Sequence, residues 1–398
     1  MAMSTLRLAL VLGLMGAIGP FAVDMYLPAL PAIAADLGAN VATTQITLTA
    51  FFLAFGGAQL IYGPLADRYG RKPPLYVGLT IFLIGSIGCG LAGDITALSA
   101  WRFVQGLGAA AVMVVPRAVI RDVHTGNEAT RLMAMIMLVI SVSPMLAPLA
   151  GTGLLVIGGW RDIFFVLAGA AALSFALTLF RLPETLPVER RQPIDAATLF
   201  RDSIRLLTDR TFMLLTFVGG FGMASFFVFV ASASFVYTQQ YELSALQFSL
   251  AFAVNAIGFF AASQFAASLG MRFGMKRVVA TAVIGFAVCE LVLLALVLVG
   301  LDDLVIVVAL LFLGNVCLGL VIPTTMVMAL DEHGDVAGLA SSLGGTLQMV
   351  AGGVIIALCG PFFDGTVTPM VVAIAACATI ALILSRLAVS SEQARAGV

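Results

Sequence analysis

The chain has 398 residues, 61% hydrophobic and 10% charged, with a formal net charge of −1. A soluble domain carries about 25% charged residues, so a soluble globular protein is excluded, and the near-neutral balance offers nucleic acid no electrostatic footprint. With about 20 apolar residues needed per membrane crossing, the length holds roughly a dozen spans and little extramembrane structure.

Apolar runs between charges and turn residues predict spans over 6–32, 44–66, 74–93, 97–120, 131–155, 160–180, 211–237, 246–269, 277–300, 304–329, 337–360 and 366–387. The first run resembles a secretory leader, but it continues past Pro20 toward Pro31. That exceeds an apolar leader region of about 7–15 residues, so cleavage is not expected. Lys and Arg stay in cytoplasmic loops, and with both termini inside, all 20 except Arg102 and Arg161 fall on the cytoplasmic side. The outer loops carry Asp36, Asp94, Asp162, Glu242, Asp302, Asp303 and Asp364 instead. The expected fold is an all-α membrane protein of twelve transmembrane helices in two pseudo-symmetric six-helix halves, over 1–180 and 211–398, joined by an Arg-rich cytoplasmic linker over 181–210. The five cysteines lie in apolar segments without a C-x-x-C pair and read as inert.

In span one, Asp24 lies 17 residues beyond Arg7. That is roughly 26 Å of helix in a core about 30 Å thick, which places it in the outer third. Arg102, entering span four from the outer side, reaches a similar depth. A carboxylate there is pulled between a neutral form favoured by low dielectric and an ionised form favoured by a nearby guanidinium, which suits proton coupling. The plainer readings are that Asp24 faces outer water and that Arg102 snorkels to the surface.

Between spans two and three, Gly63-Pro64-Leu65-Ala66-Asp67-Arg68-Tyr69-Gly70-Arg71-Lys72-Pro73-Pro74-Leu75 combines cations with an acid and glycines. Gly63 permits close helix approach and Gly70 a tight turn. Asp67 is expected to latch onto the free amides of a neighbouring helix N-terminus, with Gly338-Leu339-Ala340-Ser341-Ser342 as recipient. The stretch from Leu65 recurs from Leu269 at an offset of 204 residues, where Met271 replaces Asp67. Duplicated halves are a transporter architecture with the substrate site between them near the midplane.

Span four carries Leu98-x-x-x-Arg102-x-x-Gln105-Gly106-x-Gly108-Ala109-Ala110, and span five Ser143-Pro144-Met145-Leu146-Ala147-Pro148-Leu149-Ala150-Gly151. The prolines allow a bend and the small residues close packing. Glu290 in span nine is a second deep acid. Tyr26, Met113, Phe226, Asn315 and Gln348 are candidate substrate contacts, although intramembrane Asn and Gln also serve as bundle glue. Neither Lys72 nor Lys276 sits in the G-K-[ST] context of a phosphate loop, and His124 and His333 offer no catalytic pairing or metal-ligand spacing. No enzyme chemistry, cofactor or metal is expected.

The loop after span two resembles, position for position, the G-x-L-a-D-r-x-G-r-k-x-x-l signature of the major facilitator superfamily, and the span-four element resembles that superfamily's l-x-x-x-R-x-x-q-G-x-g-a-a element. Span five is similar to the antiporter motif of twelve-span drug exporters, though Ala134, Ser143, Ala147 and Thr152 stand where glycine is usual. Asp24-Met25-Tyr26-Leu27-Pro28-Ala29-Leu30-Pro31 resembles the D-M-Y-L-P-A-L-P element of the Bcr/CflA branch of bacterial drug:proton antiporters, and Leu182-Pro183-Glu184-Thr185 follows span six. The resemblance implies alternating-access export of small lipophilic antibiotics, such as bicyclomycin- or chloramphenicol-like compounds, in exchange for protons across the bacterial inner membrane. It implies Asp24 as proton carrier with Arg102 as electrostatic partner, a latch of Gly63, Asp67, Arg68, Gly70 and Arg71, and a hinge at Pro144, Ala147, Pro148 and Gly151. The expected partners are a small-molecule substrate, protons and the lipid bilayer, and the expected assembly is a monomer. A sugar or amino-acid exporter on the same scaffold is the alternative within the class, and a channel or receptor the alternative outside it.

Overall fold

The computed structural model describes residues 5–123, 126–191 and 195–396; His124 lies outside them. Among the described residues, twelve helices are long and apolar enough to cross a membrane. They are Leu8–Asp36, Val41–Tyr69, Lys72–Gly90, Ile95–Val123, Met135–Ile157, Trp160–Phe180, Arg210–Gln240, Ala245–Phe273, Met275–Leu298, Leu304–Asp331, Ala337–Phe362 and Val367–Ala388, numbered here as spans one to twelve. Each coincides with a predicted span to within a few residues.

The chain forms two compact units, Met1–Asp195 and Ala196–Val398. In the first, span one packs on spans four, five and six, span four on two and three, and span three on six. In the second, span seven packs on ten, eleven and twelve, span ten on eight and nine, and span nine on twelve. Adding six to each number of the first scheme gives the second, so the repeat seen in the loops extends to the packing. Gly70 and Gly274, 204 residues apart, both adopt the left-handed region, with φ of 94° and 86°, where a side chain would be strained.

Two details depart from the expected spans. Span one is not one helix. Its α-helix ends at Asp24, and Leu27–Ala29 forms a 3-10 turn before a short helix over Leu30–Asp36. Pro28 and Pro31 each lack an amide hydrogen and hold the re-entry to helix open. The linker contains a helix, Ala196–Thr208, which packs on spans seven and eleven with Leu206 buried.

The off-pattern Arg161 is explained by an ion pair with Asp36, Nη1 to Oδ2 at 2.6 Å, while Trp160 Nε1 donates to the same oxygen at 3.1 Å. These bonds tie the end of span one to the start of span six.

Candidate coupling site

The broken middle of span one is clamped from three sides. Arg102, in span four, is 0% exposed, so the snorkelling expected as its plain alternative does not occur. Its Nη1 donates to the Ala22 carbonyl at 2.9 Å and to Gln105 Oε1 at 2.6 Å. Ala22 is two residues before the helix ends, where carbonyls lack amide partners, so the guanidinium acts as a side-chain cap. Gln105 Nε2 in turn donates to Ser86 Oγ of span three at 2.8 Å. The guanidinium carbon lies 4.4 Å from the Phe51 ring centre, 4.7 Å from Tyr26 and 5.9 Å from Phe164. An arginine at the centre of a span costs roughly 2.5–3.5 kcal/mol on insertion scales, and Arg102, in the outer third, less. Two charged hydrogen bonds at about 1.5–3 kcal/mol each and the ring faces work against that cost.

From span two, Thr47 gives its proton to the Thr44 carbonyl at 2.6 Å, so the buried Tyr26 hydroxyl donates to Thr47 Oγ1 at 2.9 Å. From span five, Gly151 lies against the Met25 carbonyl, and a Cβ there would collide with it. Ala147, Pro144 and Pro148 are buried on the same helix. The glycines of the span-four element have a similar use. A Cβ at Gly106 would meet the Phe51 carbonyl oxygen at 2.5 Å, and one at Gly108 the Gly78 carbonyl oxygen at 2.5 Å.

Asp24, the last residue of the helix, is buried beside this clamp. No ion pair joins it to Arg102 in this structure: among the described residues Arg102 has no carboxylate partner, and its Nε and Nη2 have no hydrogen-bond acceptor. The guanidinium is occupied by backbone, amide and rings. Arg102 therefore bears on Asp24 through the helix end it holds.

The loop after span two is organised around Arg71, not Asp67. Arg71 donates through Nε and Nη2 to Asp122 at 2.7 and 3.0 Å, and through Nη1 to Asp67 at 2.6 Å. Burial alone would lower the pKa of Arg71, and its bonds to Asp122 and Asp67 outweigh that and hold it above the ordinary value. Glu184 accepts the backbone amides of Arg71 at 2.8 Å and Lys72 at 3.1 Å. The carboxylate that takes helix-N-terminal amides here is thus Glu184, while Asp67 closes onto its own loop. A Cβ on Gly70 would meet Glu184 Oε2 at 2.7 Å, so the turn also needs glycine for space. Among the described residues a Cβ at Gly63 would touch nothing within 4 Å, so the close approach expected there is not made, and Arg68 lies over the Tyr69 ring. Asp122, which completes the network with Thr185 at 2.9 Å, was not singled out from sequence. Its signal is an acid amid the basic residues Arg117, Arg121 and Arg131.

The remaining candidates lie apart. Asn315 Nδ2 donates to Asn255 Oδ1 at 3.2 Å, joining spans ten and eight as glue. Phe226 stacks on Phe259, with ring centres 5.3 Å apart. Met113 is half-buried in span four. Glu290 fills the notch left by Gly314, and among the described residues its buried Oε2 has no hydrogen-bond partner. Gln348 is buried, and among the described residues its Nε2 has no hydrogen-bond partner. A cavity of about 570 Å³ along spans eight and ten is lined by apolar side chains such as Val254, Val308 and Phe312 and has no polar side chain to orient a ligand.

The sequence matches the Major Facilitator Superfamily model over residues 12–356. It is 35% identical to the uncharacterized MFS-type transporter YdgK of Bacillus subtilis, covering 92% of this chain and 91% of that protein. It is 32% identical to a chloramphenicol resistance protein of Pseudomonas aeruginosa, covering 91% and 86%, and 29% identical to a bicyclomycin resistance protein homolog of Haemophilus influenzae, covering 96% and 95%. Among solved structures, a D-xylose-proton symporter superposes with a TM-score of 0.74 at 14% identity, over 96% of both chains, a likeness of fold. The duplicated six-span packing, the loop built on Gly70 and Arg71, and the near full-length match agree: this chain is a multi-pass membrane transporter that belongs to the major facilitator superfamily.

Proposed function

We propose that this protein is an exporter of small lipophilic antibiotics in the bacterial inner membrane, with both termini cytoplasmic, driven by proton exchange through alternating access. The observation that carries the reading is Asp24: a buried carboxyl at the end of a broken transmembrane helix whose Ala22 carbonyl is held by the buried Arg102. Intramembrane ionisable groups are costly and mark ion or proton pathways. A carboxyl at a helix break changes its hydration when the halves of that helix move, and its protonation follows hydration. Asp24 takes a proton from the outer side and releases it inward, and Arg102 positions it by holding the Ala22 carbonyl. The names of the relatives support chloramphenicol- and bicyclomycin-like substrates.

The test is transport by the purified protein in liposomes. An acidic interior should drive chloramphenicol uptake against its gradient, and a protonophore should abolish it. Uptake that only equilibrates would indicate a channel, and driven uptake of a sugar or amino acid in place of the drug would indicate a metabolite exporter.

A further inference from the structure

The linker helix Ala196–Thr208 presents three faces. Leu199, Asp202, Ser203 and Leu206 recur at helical spacing on one side, with Leu206 buried and the others half-buried where the helix packs on spans seven and eleven. Phe200, Ile204 and Leu207 form a second stripe at the same kind of spacing, and they are 70%, 44% and 37% exposed. Arg201, Arg205 and Thr208 make the third face, which is polar and exposed. A helix of 13 residues is marginal by itself in water, so the open apolar stripe calls for an apolar environment.

The position of the helix narrows what that environment is. Only Asp209 separates it from span seven. The Asp209 backbone is extended, with φ of −74° and ψ of 116°, and its side chain accepts the Phe212 amide at 2.7 Å. The chain therefore turns where it enters the membrane, and the linker helix is held at the membrane surface. An amphipathic helix at that level sinks its apolar face about 5–10 Å into the boundary between headgroups and acyl chains. Charge points the same way. Arg201, Arg205 and Arg210 are exposed, whereas the acids beside them, Asp202 and Asp209, are half-buried. A second copy of this helix would set arginine against arginine, while an anionic phospholipid offers phosphate.

We infer that the linker helix lies in the membrane surface, with Phe200, Ile204 and Leu207 among the upper acyl chains and Arg201 and Arg205 on the phosphates of anionic phospholipid. Assigning it to the inner leaflet rests on the cytoplasmic termini proposed above; the lipid contact itself does not.

The experiment is tryptophan quenching in the full chain, held in nanodiscs of phosphatidylcholine and phosphatidylglycerol whose two faces are both open to solvent. Trp101 and Trp160 fluoresce in every variant, so wild type supplies the background. Phe200→Trp should be quenched by lipid brominated on the upper acyl chain and shielded from aqueous iodide, and Thr208→Trp on the polar face should show the reverse. Brominated phosphatidylglycerol should quench Phe200→Trp more than brominated phosphatidylcholine does. A basic side chain at the surface contributes about 1 kcal/mol, roughly a fivefold preference, so adding Arg201→Gln and Arg205→Gln should remove most of that difference. Iodide quenching of Phe200→Trp without bromolipid quenching would overturn the proposal. Shielding from both quenchers would overturn it too, because a second copy of the chain would then cover the stripe. Equal quenching by the two lipids would remove the anionic partner. None of these readings depends on transport, so failure here leaves the export proposal standing.

Discussion

At Arg102, charge and shape have separate jobs. The shape is a planar fork that reaches the Ala22 carbonyl and Gln105 while lying against Phe51 and Tyr26; the charge is buried and, among the described residues, has no carboxylate partner. Arg102→Lys keeps the charge and loses the fork, so it should retain part of the proton-driven transport, whereas Arg102→Ala should abolish it. Initial rates of gradient-driven uptake in liposomes measure the difference. Equal rates in the two variants would mean that the charge is irrelevant. Gly151 provides a purely steric comparison. Gly151→Ala drives a methyl group into the Met25 carbonyl, an overpacking worth about 1–3 kcal/mol. A lower melting temperature and slower transport with unchanged proton affinity are expected, read from thermal unfolding and the pH profile of uptake.

At the level of elements, the loop after span two is a brace across the first unit. Arg71 joins the end of span two, through Asp67, to the end of span four, through Asp122, and Glu184 joins the segment after span six to the start of span three. The Asp67 side chain is 58% exposed and that of Asp122 15%. An exposed pair is worth below about 1 kcal/mol, while charged hydrogen bonds away from solvent are worth about 1.5–3 kcal/mol. Asp122→Asn should therefore lower the melting temperature more than Asp67→Asn, and the reverse order would remove Arg71 from the centre of the brace. The second unit has Met271 and Met275 at the positions of Asp67 and Arg71. Met271→Asn should accordingly be mild in the same melting assay.

For the whole molecule, the spans, their number and the duplication were readable because hydropathy and cation placement are properties of the chain alone. The loop repeat at Gly70 and Gly274 anticipated a repeat in the packing. Less readable was what the side chains do. The break after Asp24 shows in sequence only as Pro28 and Pro31, which equally fit a helix start. The Arg102 cap on Ala22 uses a backbone carbonyl, which carries no sequence signature, so a carboxylate seemed the natural partner. Asp122 stands among loop charges until the fold brings Arg71 to it. Asn315 and Gln348 look alike as polar residues within apolar spans, and only their surroundings separate one that is paired with Asn255 from one with an idle donor.

The most direct measurement is proton release from detergent-solubilised protein when chloramphenicol is added, for wild type and Asp24→Asn across pH. The variant keeps the shape of the side chain and loses its ionisation. Wild type should release protons on substrate addition within a limited pH window, and Asp24→Asn should bind the compound and release none. Undiminished release by a well-folded Asp24→Asn protein would contradict Asp24 as the proton carrier.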